Sequence, residues 1–282
     1  MQFHEIPNLR NPVALFAFTG WNDAGEAATG ALSHLLGIWA ETSTLIAEID
    51  PEEYFDFQVN RPHVYIDDSK IRRLTWPTVK VWGITTPSLP FDLAIINGTE
   101  PSMRWTTFAT EIIDVLDDLE VDLAITLGSL LADTPHSRPI PVTGTGTHPD
   151  LAKKLGVEVS RYEGPTGILG VLQDALNRRE LDAISMWAAI PHYASGTPSP
   201  KASLALLNAL EDFLEISLPQ GDLPDAALAW EIAIGDLAKD DVEISEYVKQ
   251  LEDSKDAAEI PAATPESIAK EFERYLRHQE EN

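Results

Sequence analysis

Short unbroken apolar runs alternate with helical periodicities along this chain. The runs are Val13–Phe18, Leu45–Ile49, Val79–Ile84, Leu93–Ile96, Leu123–Leu127 and Ile184–Ile190. Strands half-exposed to water alternate apolar and polar residues, whereas strands covered on both faces do not. The runs therefore predict buried strands, and the helical patterns between them predict an α/β domain with a mostly parallel sheet.

The helical patterns are readable one by one. The first places Ala28, Ala31, Leu32, Leu35, Leu36 and Trp39 on one face. Asn22 or Asp23 is its expected N-cap, and Glu26 stands at capping-box spacing from Asp23. Gly25 and Gly30 weaken that helix, which implies close approach to a sheet or a neighbour. A second helix is expected over Arg104–Leu119, and a third from the Gly164-Pro165-Thr166-Gly167 turn to about Asn177. A fourth begins at Ser199-Pro200, an N-cap followed by proline at the first helical position.

Two regions depart from this alternation. Tyr54–Trp76 reads as a loop with short strands, and long excursions of this kind build interfaces or cover sites. After Ser217, Ala226–Leu237 and Val242–Leu251 read as a helical pair and Glu252–Ala263 as a polar linker. A last helix is expected from Thr264 and Pro265, with Ile268, Phe272, Tyr275 and Leu276 on one face. The expected division is an α/β core over residues 1–217 and a helical appendage over 218–282.

Composition narrows the partners. The 282 residues carry 20 Lys plus Arg against 46 Asp plus Glu, a formal charge of −26. Nucleic acids and anionic membranes are polyanionic surfaces that require basic patches, so neither is an expected partner. There is no cysteine, which removes disulfides, thiolate metal sites and cysteine nucleophiles and suits a reducing compartment. No basic leader precedes the first apolar run, and no run reaches membrane-spanning length; the expectation is a cytoplasmic protein.

In open parallel sheets, ligands gather outside the carboxyl ends of the strands. The segments at those ends carry Asn22, Asp23, Glu100, Arg104, Asp133, His136, Arg138, Glu163, Thr166 and His192. Converging, they would form a crevice in which Arg104 and Arg138 hold an anion and His136 or His192 moves a proton. Each also has a structural reading. Asn22 and Asp23 cap helices by default. Asp133 could pair with Arg138 and fix its loop, and His192 could be a hydrogen-bonded structural histidine. The Gly164–Gly167 turn could offer backbone N–H groups to an anion or be only a turn. Gly144-Thr145-Gly146-Thr147 reads as a flexible loop. The chain lacks a P-loop, a G-x-G-x-x-G pattern, a G-x-S-x-G elbow and any H-E-x-x-H pair, so no cofactor or metal is expected.

Several segments together resemble a known family. They include Phe18-Thr19-Gly20-Trp21-Asn22-Asp23-Ala24-Gly25, Glu100-Pro101-Ser102-Met103-Arg104-Trp105, Thr126–Asp133, Pro135-His136-Ser137-Arg138-Pro139, Tyr162–Ile168 and Pro191-His192-Tyr193. On these the chain is similar to the proteasome assembly chaperone 2 family, in its actinobacterial branch, firmly over about residues 10–215. The resemblance implies a three-layer α/β/α fold like that of nucleoside phosphorylases. It also implies a homo-oligomer, a trimer in the bacterial branch, and a non-enzymatic role with proteasome components or other proteins as partners. It supplies no catalytic residues. The alternative carried beside it is a protein or enzyme that binds an anionic or nucleoside-like small molecule in the strand-end crevice.

Overall fold

The computed structural model describes residues 1–146, 152–153, 158–159 and 162–259. Eleven strands are described: β1 (Gln2–Phe3), β2 (Val13–Thr19), β3 (Ser43–Glu48), β4 (His63–Ile66), β5 (Arg72–Thr75), β6 (Val79–Ile84), β7 (Leu93–Thr99), β8 (Leu123–Ala132), β9 (Val142–Gly146), β10 (Glu158–Val159) and β11 (Asp182–Pro191). The α-helices are α1 (Ala27–Ile38), α2 (Pro51–Tyr54), α3 (Trp105–Asp118), α4 (Ile168–Arg178), α5 (Pro200–Leu214), α6 (Leu223–Lys239) and α7 (Val242–Glu259). Nine strands form one sheet in the order β1-β3-β6-β7-β2-β8-β11-β9-β10, and β4 pairs with β5 apart from it.

The fold is the expected α/β/α class, a mixed, mostly parallel sheet with helices on both sides. Strand β2 explains the unbroken apolar runs. Its residues Val13 to Phe18 are all buried, and it lies between two parallel neighbours, β7 and β8. With both faces covered, no position from Val13 to Phe18 faces water and no alternation is written into that run. The β1–β3–β6–β7 side is antiparallel throughout.

By their contacts the residues divide into two compact units. The first comprises Met1–Asp23, Leu32–Gly128 and Gly144–Met186. It holds most of the sheet with α3 and α4, and Phe108 sits at its centre, edge-on to Phe18 and Tyr54 at 5.9 and 5.7 Å. The second comprises Ala24–Ala31, Ser129–Thr143 and the chain from Trp187 onward. In it Trp230 and Ile234 of α6 pack with Ala194 and Tyr193.

Local expectations are corrected at two places, and the start of the first helix is more detailed than expected: a 3-10 turn, Ala24–Glu26, with Gly25 at φ 59° and Glu26 at φ 48°, precedes α1. The glycine expectation itself holds, since a Cβ on Gly30 would lie 2.8 Å from the Ser203 hydroxyl of α5. The segment read as a flexible glycine loop is strand β9 through Gly146, and Thr147 lies outside the described residues. The polar stretch from Glu252 does not end the helix; α7 runs on to Glu259, because Glu, Lys and Ala are good helix formers and residues 252–259 contain no Gly or Pro. The helix expected after Thr264 lies outside the described residues.

Candidate functional site

In the first unit the site begins with strand register. Parallel pairing sets Thr19 of β2 level with Thr99 of β7, and the Glu100 N–H extends the ladder by donating to the Thr19 carbonyl at 3.1 Å. Both chains leave the sheet at the same height, so Asn22 and Glu100 meet. The buried Asn22 amide donates to Glu100 Oε1 at 2.8 Å. The backbone N–H of Ile168, the first residue of α4, donates to the same oxygen at 2.8 Å.

Glu100 is therefore the cap of α4. Gly167, at the N-cap position, has no side chain with which to satisfy the free N–H groups of the first turn. A carboxylate brought in from β7 does so, where the helix dipole favours negative charge. The glycine is required by close approach, since a Cβ there would lie 2.7 Å from Glu100 Oε1 and 2.5 Å from Asn22 Oδ1. The Gly164–Gly167 turn thus offers its helix start to an anion, and that anion is the protein's own glutamate.

The remaining first-unit candidates are engaged elsewhere or exposed. Arg104 sits in the left-handed region at φ 58°, immediately before α3. Its guanidinium ion-pairs with Glu53 and lies 5.5 Å over the Tyr54 ring. Tyr54 is buried, and burial together with Glu111 holds its phenol far above the usual range. Asp23 is buried and donates its N–H to the Gly20 carbonyl at 3.2 Å, while Glu163 and Thr166 are exposed.

The second unit brings Asp133, His136, Arg138 and His192 into one neighbourhood with separate partners. Asp133 Oδ1 accepts the Tyr247 hydroxyl at 2.7 Å and lies 3.6 Å from His192 Nε2. Buried His136 donates its backbone N–H to the Tyr193 hydroxyl at 2.7 Å, with its Nδ1 2.9 Å from that oxygen. The direction of the Nδ1 contact follows the imidazole tautomer, since the phenol oxygen can accept a second hydrogen bond or donate its own. Burial, then the Lys201 ammonium, holds His136 below the ordinary imidazole value, against the opposing pull of Glu231 and Glu252. Burial pushes the Tyr193 phenol up to about 12. Lys201 itself donates to the His136 carbonyl and to Glu231 Oε2, both at 2.5 Å.

Arg138 grips Asp256 through two hydrogen bonds of 2.7 Å and has Glu252 at 3.8 Å. Ser137 donates to Glu252 as well. The 133–138 loop is thus clasped along α7 through Tyr247, Glu252 and Asp256. The imidazole faces a tyrosine hydroxyl, the guanidinium a carboxylate and the aspartate a phenol, so each group that could do acid–base or anion chemistry has a partner within the unit. Sequence reasoning missed Tyr193, Tyr247, Glu252 and Asp256 as those partners. The last three are 114 to 118 residues from the groups they bind, and no local signal reaches that far. Among the described residues, no group of three His, Asp or Glu side chains is placed to hold a metal ion, and no helix is long and apolar enough to cross a membrane.

The mixed, mostly parallel sheet with helices on both sides sets the class, an α/β/α protein. The PAC2 family model matches residues 17–238, and the chain belongs to that family. It is 47% identical to a PAC2 family protein from Streptomyces avermitilis, over 84% of this chain and 99% of that one, with a TM-score of 0.77. It is 46% identical to a proteasome-assembly chaperone homologue from Mycobacterium tuberculosis, over 84% and 99%, with a TM-score of 0.75. A Pyrococcus furiosus archaeal proteasome activator shares the fold, with a TM-score of 0.66 at 19% identity over 84% and 97%. Among curated proteins, none matches this chain.

Proposed function

We propose that this chain is a non-enzymatic, homo-oligomeric protein of the proteasome-assembly-chaperone type, a cytoplasmic trimer that acts by presenting surfaces to proteasome components. The reading is supported by the likeness to the Mycobacterium tuberculosis chaperone homologue. The observation that carries it is the Asn22–Glu100–Ile168 contact. The polar groups that could have built a strand-end ligand site there bind one another and the start of α4. Such mutual satisfaction makes a rigid frame, because a carboxylate that already accepts two hydrogen bonds gains little from a ligand. A chaperone of ring assembly needs that rigidity, since binding by a preformed surface avoids ordering costs.

The test is reconstitution. Purified proteasome α and β subunits are mixed with and without this protein, and assembly intermediates are followed by native electrophoresis. Faster accumulation of ring or half-proteasome species in its presence is expected. An unchanged time course overturns the reading. So does a rise in Tm with nucleosides or small anions that the Glu100→Ala variant loses, which would return function to the strand ends.

A further inference from the structure

We propose that the β4–β5 hairpin of one copy docks on the outward face of α6 in a second copy of this chain. The inference rests on the homo-oligomeric reading above and names the surfaces that would make it.

The hairpin is fully formed yet bare. Among the described residues its strands pair only with each other, in the register Val64↔Leu74 and Ile66↔Arg72. Period-2 geometry then puts Val64, Ile66 and Leu74 on one face, with the Arg72 stem beside them. These three apolar side chains are 49%, 72% and 51% exposed. A two-stranded ribbon with an open apolar face is marginal in water, and a formed one implies a cover. Its turn is held in shape: the Asp67 carboxylate accepts the Ile71 N–H at 2.8 Å and Arg73 Nε at 3.0 Å. At its root, Phe57 and Trp76 meet edge to face at 4.8 Å. The surface is preorganised, which lowers the ordering cost of docking.

Charge selects the occupant. The segment carries Arg61, Lys70, Arg72 and Arg73 against Asp67 and Asp68, on a chain whose net charge is −26. A locally basic, apolar ribbon on an acidic protein fits an acidic apolar surface, and another copy supplies one. Helix α6 buries Ala227, Trp230 and Ile234 and turns Leu228, Ala229, Ile232 and Ala233 outward. Leu228 and Ile232 are 58% and 57% exposed. Asp222 and Asp225 stand at the start of the strip, and Asp236, paired with Lys239 at 2.9 Å, at its end.

The dimensions agree as well. A four-residue strand spans about 13 Å, and the strip from Asp225 to Asp236 rises about 17 Å along its helix. Because the two surfaces differ, the contact is head-to-tail, and copies joined this way close into a ring when the rotation permits.

The experiment measures mass in solution by light scattering on wild type, Ile66→Glu and Ile232→Glu. Both substitutions are at exposed positions, so circular dichroism and Tm should match wild type. If Ile66→Glu does not fold, Ile66→Thr keeps the β-branched shape and should weaken assembly roughly tenfold. The expected result is an oligomeric wild type, two monomeric variants, and a one-to-one dimer when the variants are mixed. Each variant keeps the half-site that the other has lost. A monomeric wild type overturns the oligomeric reading and the docking together. An oligomer that survives Ile66→Glu overturns the docking alone. A monomeric Ile66→Glu beside an oligomeric Ile232→Glu also overturns it, because the hairpin then meets something other than α6.

Discussion

Asn22 donates its side-chain amide to Glu100 at 2.8 Å, across 78 residues of chain, and the same carboxylate oxygen receives the first N–H of α4. One glutamate therefore ties the ends of two adjacent parallel strands to the start of a helix. Removing it with Glu100→Ala leaves a buried asparagine amide and a helix N–H unpartnered. The expected loss is about 2–4 kcal/mol in urea denaturation, the sum of a lost charged acceptor and the groups it leaves. Glu100→Gln retains an acceptor oxygen and should lose about half as much or less.

Gly167→Ala tests the same node from the helix side. The added methyl has no space between Asn22 and Glu100, so destabilisation of about 1–3 kcal/mol is expected. Gly37→Ala is the matched control, because a Cβ there meets nothing within 4 Å inside a helix. It should stabilise by about 0.5–1 kcal/mol in the same assay.

Asp92 predicts part of the acid limb of the stability curve. Burial acts to raise its pKa, but the N–H groups of Thr86 and Arg10 and the Arg10 guanidinium outweigh it and leave the carboxyl below its usual value. A depressed folded-state pKa contributes stability that is present above the unfolded value and lost as pH falls through the folded one. Stability should decline below about pH 4. Asp92→Asn should be less stable than wild type at pH 7 by about 1–3 kcal/mol, with a flatter acid limb.

His136 acts in a higher window by the same sign. Its folded-state pKa lies below the ordinary 6.5, so the unfolded chain takes up the proton first as pH falls. Its contribution is complete above that value and is lost progressively below it. Thermal melts of wild type from pH 8 to pH 5 should show this fall, and His136→Gln should show less of it. Tyr193→Phe, which strips the partner from the buried His136 N–H, should lose about 1–3 kcal/mol at any pH in that range.

The clasp on α7 is open to hydrogen exchange. Arg138→Ala removes both bonds to Asp256, and amides of Val242–Glu259 should exchange faster than in wild type. Arg138→Lys should restore little, because an ammonium cannot reproduce the two-pronged contact. The Arg138 guanidinium holds Asp256 below the usual carboxylate range. The clasp should therefore persist at neutral pH and loosen as pH falls through that depressed value. Exchange rates in α7 that are unchanged by Arg138→Ala would show the contact to be incidental.

Much of the fold is legible from local physics. An unbroken apolar run such as Val13–Phe18 can satisfy its solvation in few places, and β2 is buried on both faces as that run requires. Ser199 with Pro200 starts α5 as written, because capping and a fixed φ act within one turn of chain. Where local reading stops, tertiary structure decides. The level ends of β2 and β7 bring the Asn22 amide to Glu100, a partner that no neighbour in the chain predicts.

What residue order determined by itself was the alternation of strands and helices, the charge and the absence of thiols, all of which depend on neighbours or on simple counts. Which polar groups meet was decided only by the folded chain. The pairs Glu100–Ile168, Asp133–Tyr247 and Arg138–Asp256 join positions 68, 114 and 118 residues apart. Hydrogen bonds act over about 3 Å, and sheet register and helix docking place such distant groups within that range.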